Sequence, residues 1–140
     1  MALKAHMRQE KNLESLLQNL DPSAAEGSFV FCAVPVLPGS ADLAALDPWA
    51  IVKEDEGITL ILEKKRADGL GLVYESTYGR ITLRVFSSLD AVGLSAAVAT
   101  ALADSGISAN MVAGYHHDHI FVPEAHLETA LNVLRGLRCS

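Results

Sequence analysis

The sequence predicts an α+β fold of two ferredoxin-like units in tandem, each of order β-α-β-β-α-β, with antiparallel sheets covered by helices. Three observations carry this expectation. Leu94, Ala97, Val98, Ala101 and Leu102 recur at i, i+3, i+4, i+7 and i+8, one face of an amphipathic helix. Segments of strand length flank that helix and recur in the first half, bounded by Pro, Gly and Asp turns. The order over 29–77 (strand, short helix, strand, strand, short helix, strand) returns over 80–137 without its last strand. The expected boundaries are 1–78, an N-terminal helix plus the first unit, and 79–140, the second unit.

Met1 to Glu10 is polar and unpatterned and reads as a frayed start. Leu13, Leu16, Leu17 and Leu20 then form a helical stripe, ended by Asp21-Pro22. LESLL has the form of a short docking motif, but a core-facing stripe shows the same spacing and is the reading adopted. Ser28 to Val36 is an apolar strand stopped by Pro35 and Pro38-Gly39. Ala41 to Leu46 is a short helix. Trp49 to Glu54 and Ile58 to Glu63 flank Asp55-Glu56-Gly57, a hairpin turn with glycine where a positive φ is wanted.

Lys64 to Gly69 is a charged, solvated helix capped by Gly69 rather than an anion site. Leu72 to Thr77 reads as a strand, separated by Gly79 from the alternating strand Arg80 to Phe86. The helix from Leu94 ends at Gly106. Ile107 to Tyr115 and His119 to Val122 are strands around a His-His-Asp turn, and Pro123 opens the way to a last helix carrying Leu127, Ala130, Leu131 and Leu134. The helix at 13–20 is expected to cover a sheet face. The missing last strand leaves an edge for a second copy to cover, so a homodimer is expected.

The composition narrows the function class. Of 140 residues, 50% are hydrophobic and 20% charged, as in globular proteins, and aromatics are only 6%, so the core is aliphatic. A net charge of −6 argues against a nucleic-acid partner, which needs clustered Lys and Arg. No apolar run approaches the roughly 20 residues of a membrane span, and no signal peptide is apparent. A soluble cytoplasmic protein is expected. Cys32 lies in an apolar run and Cys139 beside the C-terminus, neither with metal-ligand spacing. No Gly-x-Ser-x-Gly elbow, GxGxxG or P-loop occurs, so neither an enzyme nor a cofactor is expected.

The loop before the central helix is the candidate site. Ser87, Ser88 and Asp90 precede Val92, Gly93 and Leu94, and Asn110 follows the helix. Two readings are open. In one, Ser88 and Asp90 cap the helix, Gly93 packs it and Asn110 holds a turn. In the other, free N–H groups at the helix start hold a ligand carboxylate, Asp90 meets an ammonium or guanidinium, Gly93 permits close approach and Asn110 supplies donor and acceptor groups.

The run Ser87-Ser88-Leu89-Asp90-Ala91-Val92-Gly93-Leu94, followed by Gly106-Ile107-Ser108-Ala109-Asn110, resembles the ACT domain. Extended through AGYHHDHIFVP, it looks like a group of uncharacterised bacterial tandem-ACT proteins, with a C-terminal half similar to the ACT domains of the CASTOR arginine sensors. Phe29-Val30-Phe31, Val34-Pro35 and the DEGITLILE hairpin fit the first half of the same proteins. The resemblance implies a regulatory module that binds an amino acid or related carboxylate, often at a dimer interface, with Ser87, Ser88, Asp90, Val92, Gly93, Leu94 and Asn110 as its site. Leu37-Pro38-Gly39-Ser40 in the first half departs from the Asp-x-x-Gly pattern.

The run His116-His117-Asp118-His119 invites a metal reading. Strand alternation puts His117 and His119 on one side and His116 and Asp118 on the other. His6 and His126 are the only other histidines. The expectation is a polar turn. A protein-interaction module without a small ligand and, more remotely, a metal-dependent enzyme at this hairpin are the alternatives.

Overall fold

The computed structural model describes residues 10–139; the polar start before Glu10, with His6, and the Cys139 side chain lie outside what it describes. In chain order the elements are α1 (Leu13–Gln18), β1 (Pro22–Ala24), β2 (Phe29–Val34), α2 (Ser40–Leu46), β3 (Ala50–Glu54), β4 (Gly57–Glu63), α3 (Lys64–Gly69), β5 (Tyr78–Leu83), α4 (Leu94–Asp104), β6 (Asn110–Ala113), β7 (Asp118–Pro123) and α5 (Leu127–Gly136). Single 3-10 turns precede and follow α5. The chain gathers into two compact units. One is contiguous, Glu26–Gly79; the other joins the described residues before Glu26 to those from Arg80 onward.

In the contiguous unit the strand order is β3-β4-β2, all antiparallel. Val30, Cys32, Leu60 and Leu62 alternate along their strands and meet Leu46 and Ala67 from the helices, so one sheet face is closed by α2 and α3. The hairpin forms as expected, with Glu54 opposite Gly57. Gly57 has φ +147°, and a Cβ there would lie 2.7 Å from the Val34 carbonyl oxygen, so only glycine lets this backbone approach β2.

Two expectations for this unit are corrected. Leu72 to Thr77 is not a strand: Leu72 and Tyr74 pack on the core while Val73 is 85% exposed, and only Tyr78 pairs, with Phe29. α3 includes Gly69 and is capped by Leu70; the left-handed residue that ends it is Gly71 (φ +65°), after which Leu72 donates its N–H back to the Ala67 carbonyl at 2.9 Å.

The discontinuous unit has the strand order β1-β5-β7-β6. Its core joins Ile81, Leu83, Ile120 and Val122 of the sheet to Leu94, Val98 and Leu102 of α4, Ala130, Leu131 and Leu134 of α5, and Leu16 and Leu20 from the N-terminal segment. The leucine stripe is therefore a core face. The expected boundaries place it with the first unit; it packs in the second, because its apolar partners are the buried faces of that unit.

The absent last strand is likewise corrected. Pro22, Ser23 and Ala24 pair with Leu83, Thr82 and Ile81 and fill the place beside β5. β5 also runs unbroken through Gly79 and ends at Leu83, not Phe86.

Leu16 is fully buried. Truncation to alanine loses its transfer energy and leaves a cavity, so Leu16→Ala is expected to cost about 2–5 kcal/mol, read as a lowered urea midpoint with unchanged slope. A loss below about 1 kcal/mol would contradict this place for the helix.

Candidate functional site

The loop from Arg84 to Gly93 joins β5 to α4, and backbone bonds from the N-terminal segment fix its first half. Glu10 donates its N–H to the Phe86 carbonyl at 2.9 Å, and its own carbonyl accepts from the Ser88 N–H at 3.0 Å. Glu10 also secures the start of α1. One carboxylate oxygen accepts from the N–H groups of Lys11 and Asn12, and the other from the Ser15 hydroxyl. Asn12 caps α1 through its side-chain oxygen, which accepts from the Ser15 N–H at 3.0 Å.

Ser87 and Ser88 are buried and turned inward. The Ser87 hydroxyl donates to Asp118 Oδ2 at 3.0 Å, tying the loop to the start of β7. The Ser88 hydroxyl accepts from the Asp90 N–H at 3.1 Å and closes a local turn, and Ala91 N–H bonds the Ser88 carbonyl. Neither serine caps α4. The capping residue is Gly93, in the left-handed region at φ +99°, with no side-chain bond to the first turn. The capping reading of Ser88 and Asp90 is corrected accordingly, while the packing reading of Gly93 holds. A Cβ on Gly93 would lie 3.1 Å from Leu13 Cδ2, so the helix start is backed by the α1 leucine stripe. Leu94 is buried in the core.

Asp90 is exposed, and its neighbours Leu89 and Val92 are 61% and 83% exposed. The loop thus exposes a carboxylate between two apolar residues in sequence, just before a helix whose N-cap, Gly93, makes no side-chain bond to the first turn. The N–H groups of that turn carry partial positive charge and suit an anion.

Asn110 stands elsewhere. It pairs with Phe121 and donates from Nδ2 to the Phe121 carbonyl at 3.4 Å, whereas the loop is tied to Asp118, opposite Ala113. Three residues of strand separate the two ends, roughly 10 Å. Within one copy Asn110 and the loop do not converge.

The histidine hairpin separates into individual bonds. The turn is Gly114 to His117 rather than His116 to Asp118, closed by Gly114 N–H to the His117 carbonyl at 2.8 Å; β6 is shorter than the expected Ile107 to Tyr115, and β7 begins at Asp118, one residue earlier than expected. His117 Nδ1 meets the Val85 carbonyl at 3.3 Å and His119 Nδ1 meets Thr82 Oγ1 at 2.9 Å. His116 packs between Tyr115 and Phe86, with ring centroids 5.1 and 5.4 Å away. Among the described residues no three His, Cys, Asp or Glu side chains are placed to hold a metal ion.

Burial, then the charges of Arg80, His117 and Arg84, hold His119 down from 6.5 to about 4. Burial, then the Asp68 charge, pushes the Cys32 thiol up, away from the reactive thiolate. The charges of α3 are paired within the helix and with its neighbours: Lys64 with Asp68 at 2.9 Å and Arg66 with Glu63 of β4 at 3.2 Å, in keeping with a solvated helix.

Sequence reasoning missed Glu10, Leu13 and Asp118 as supports of the loop. Glu10 lies in a polar stretch without periodicity, and Asp118 reads as a turn residue; neither carries a local signal for a long-range bond.

A family profile described as ACT domain matches residues 9–79, and a second ACT domain profile matches residues 75–136. No curated protein matches the chain. Among solved structures, a Vibrio cholerae protein of unknown function, described as a possible transport protein, is 45% identical, with 91% of this chain and 97% of that chain covered at a TM-score of 0.81. An Agrobacterium tumefaciens protein is 17% identical over 84% of this chain and 87% of its own, at 0.68. The regulatory subunit of aspartate kinase from Thermus flavus is 12% identical over 83% and 95%, at 0.60. At such identities the last two show a shared fold. These matches do not show the expected likeness to the CASTOR arginine sensors. No helix among the described residues is long and apolar enough to cross a membrane.

His119 makes stability depend on pH. Its folded value lies below its unfolded one, so the unfolded chain binds the extra proton between them. Its contribution is full above pH 6.5 and is lost as pH falls toward 4. After allowance for solvent screening, the loss is on the order of 1–2 kcal/mol. Unfolding of the protein and of His119→Asn at pH 7 and 4.5 checks this: the variant is expected to lose less on acidification, and equal losses would contradict the assignment.

Proposed function

The chain belongs to the ACT domain family, and from that premise we propose that it is a non-enzymatic regulatory module that binds an amino acid or related small carboxylate at the loop between β5 and α4. ACT domains are regulatory, small-molecule-binding modules, and the aspartate kinase regulatory subunits share this fold. The observation that carries the reading is the helix start. α1 receives a side-chain cap from Asn12, whereas α4 begins at a left-handed glycine with none, and the serines that could have capped it are committed to Asp118 and Asp90. A ligand carboxylate at the free N–H groups and a ligand ammonium at Asp90 complete the pairing. Leu89 and Val92 supply apolar contact beside them. Ser87, Ser88, Gly93 and Leu94 shape the loop without facing the ligand.

Asn110 enters this site only if a second copy presents it. β6 pairs with β7 alone among the described residues, which leaves an edge strand open to association. A homodimer that covers β6, Leu89 and Val92 brings Asn110 of one copy within reach of the loop of the other. The exposed Leu89, Val92 and Tyr115 equally suit a protein partner, and this second reading stands if no small ligand binds. Function in the cytoplasm fits both readings.

A thermal-shift screen of amino acids and nucleotides tests the site. At a hundredfold excess over Kd a ligand adds about 2.7 kcal/mol, a rise of several degrees, and Asp90→Asn is expected to abolish most of it. No shift with any amino acid at millimolar concentration, in a well-folded sample, would overturn the reading. Light scattering at micromolar concentration is expected to give twice the 14.9 kDa chain mass; a monomer would contradict the dimer.

A further inference from the structure

A pocket in the contiguous unit lies between β2 and the irregular chain before β5, and we infer that it binds a small organic cation, an ammonium carrying alkyl groups rather than a bare amine. The pocket encloses about 260 Å³ and is lined by Phe31 and Ala33 of β2, Tyr78 at the start of β5, and the segment from Val73 to Ser76. The inference is independent of the loop site, which stands in the other unit.

The fold builds the gap. β2 and β5 pair at one position, Phe29 with Tyr78. That antiparallel register, continued, would set Ser76 opposite Phe31 and Tyr74 opposite Ala33 and close the space with a ladder. The chain turns away instead, because the residues before Tyr78 are anchored elsewhere. Leu72 packs on the core, and its N–H is held by the Ala67 carbonyl at 2.9 Å. Tyr74 packs on the same core, and its hydroxyl donates to Asp68 Oδ1 at 2.7 Å. Ala67 and Asp68 both belong to α3, so helix contacts hold the two sides of the pocket apart.

The walls are aromatic and the lining charge is a carboxylate. Phe31 and Tyr78 are half-buried, with ring centroids 5.2 Å apart and planes inclined at 70°. Rings so inclined form a corner rather than a flat stack, and both line the pocket. Glu75 is exposed and, among the described residues, makes no side-chain hydrogen bond or ion pair. Asp68, by contrast, is answered by Tyr74 and by Lys64 at 2.9 Å. No Lys, Arg or His lines the pocket.

These features select the ligand class. The faces of aromatic rings are electron-rich and attract cations, quaternary ammonium groups among them. The Glu75 carboxylate adds a charge with the same preference. An anion would be repelled by both. A bare ammonium needs several acceptors in place of its water, and the polar side chains of the lining are few, Glu75 and Ser76 foremost. Alkyl groups on the nitrogen remove that demand and give apolar contact to Ala33 and Val73. The volume lies below the roughly 300–1,000 Å³ of drug-sized sites, so a cation of a few heavy atoms fits.

NMR titration of the full chain with choline tests this, against the neutral alcohol in which carbon replaces the choline nitrogen, at matched ionic strength. Choline is expected to shift the Phe31 and Tyr78 ring signals and the amides from Val73 to Tyr78 saturably, and to bind about tenfold more tightly than the neutral alcohol. Tyr78→Leu is expected to weaken choline by about tenfold, whereas Tyr78→Phe keeps the ring and the affinity. Glu75→Gln is expected to weaken it by about threefold with an unaltered unfolding midpoint, and remains decisive if Tyr78→Leu fails to fold. Asp90→Asn is expected to change nothing. No saturable shift at high millimolar choline, equal binding of the neutral alcohol, or affinity unchanged in Glu75→Gln would overturn the inference. Choline shifts centred on Leu89 to Gly93 and lost in Asp90→Asn would move the cation to the loop and equally sink the pocket.

Discussion

The N-terminal segment from Glu10 to Ala24 is the constraint on which the site-bearing unit depends. It supplies three things that residues after Arg80 lack. Leu16 and Leu20 fill the core between the sheet and α4 and α5. Pro22 to Ala24 occupy the sheet position beside β5. Glu10 holds Phe86 and Ser88 through the backbone, and Leu13 lies against Gly93. Core, sheet edge and loop are therefore settled by one stretch distant in sequence.

What the loop can do follows from that support. Ser87 and Ser88 are spent on holding the backbone, one on Asp118 and one on Asp90 N–H. Gly93 caps the helix start without a side-chain bond, and Asp90, Leu89 and Val92 in the loop before it stand exposed. The ligand site proposed above rests on this frame, which holds the loop backbone while Asp90 stays exposed. The histidine hairpin has the opposite character. His117 and His119 bond to Val85 and Thr82 on β5 and its continuation, and His116 packs on aromatic rings, so the cluster braces the sheet end.

Periodic features were legible in the sequence, and long-range pairings were not. The helix from Leu94 and the Asp55-Glu56-Gly57 hairpin carry local signals and formed where expected. The leucine stripe announced a buried face but not its partner, because a 3.6-residue period is blind to what lies opposite. β1 left no trace: three residues, one of them proline, are too few to show alternation. Leu72 to Thr77 has strand-like composition, yet its apolar residues divide between core and solvent. Asp90, Gly93 and the inward serines of the candidate site could be named from sequence; their hydrogen bonds, and the distance to Asn110, depended on the register of β6 and β7.

The most direct measurement is amide-resolved NMR of the full chain titrated with the amino acid that most stabilises it. Saturable shifts centred on the backbone amides from Leu89 to Ala96, and weakened by Asp90→Asn, are the expected result. A saturating ligand that leaves those amides unmoved, or a spectrum that no amino acid changes, would contradict the loop as a ligand site.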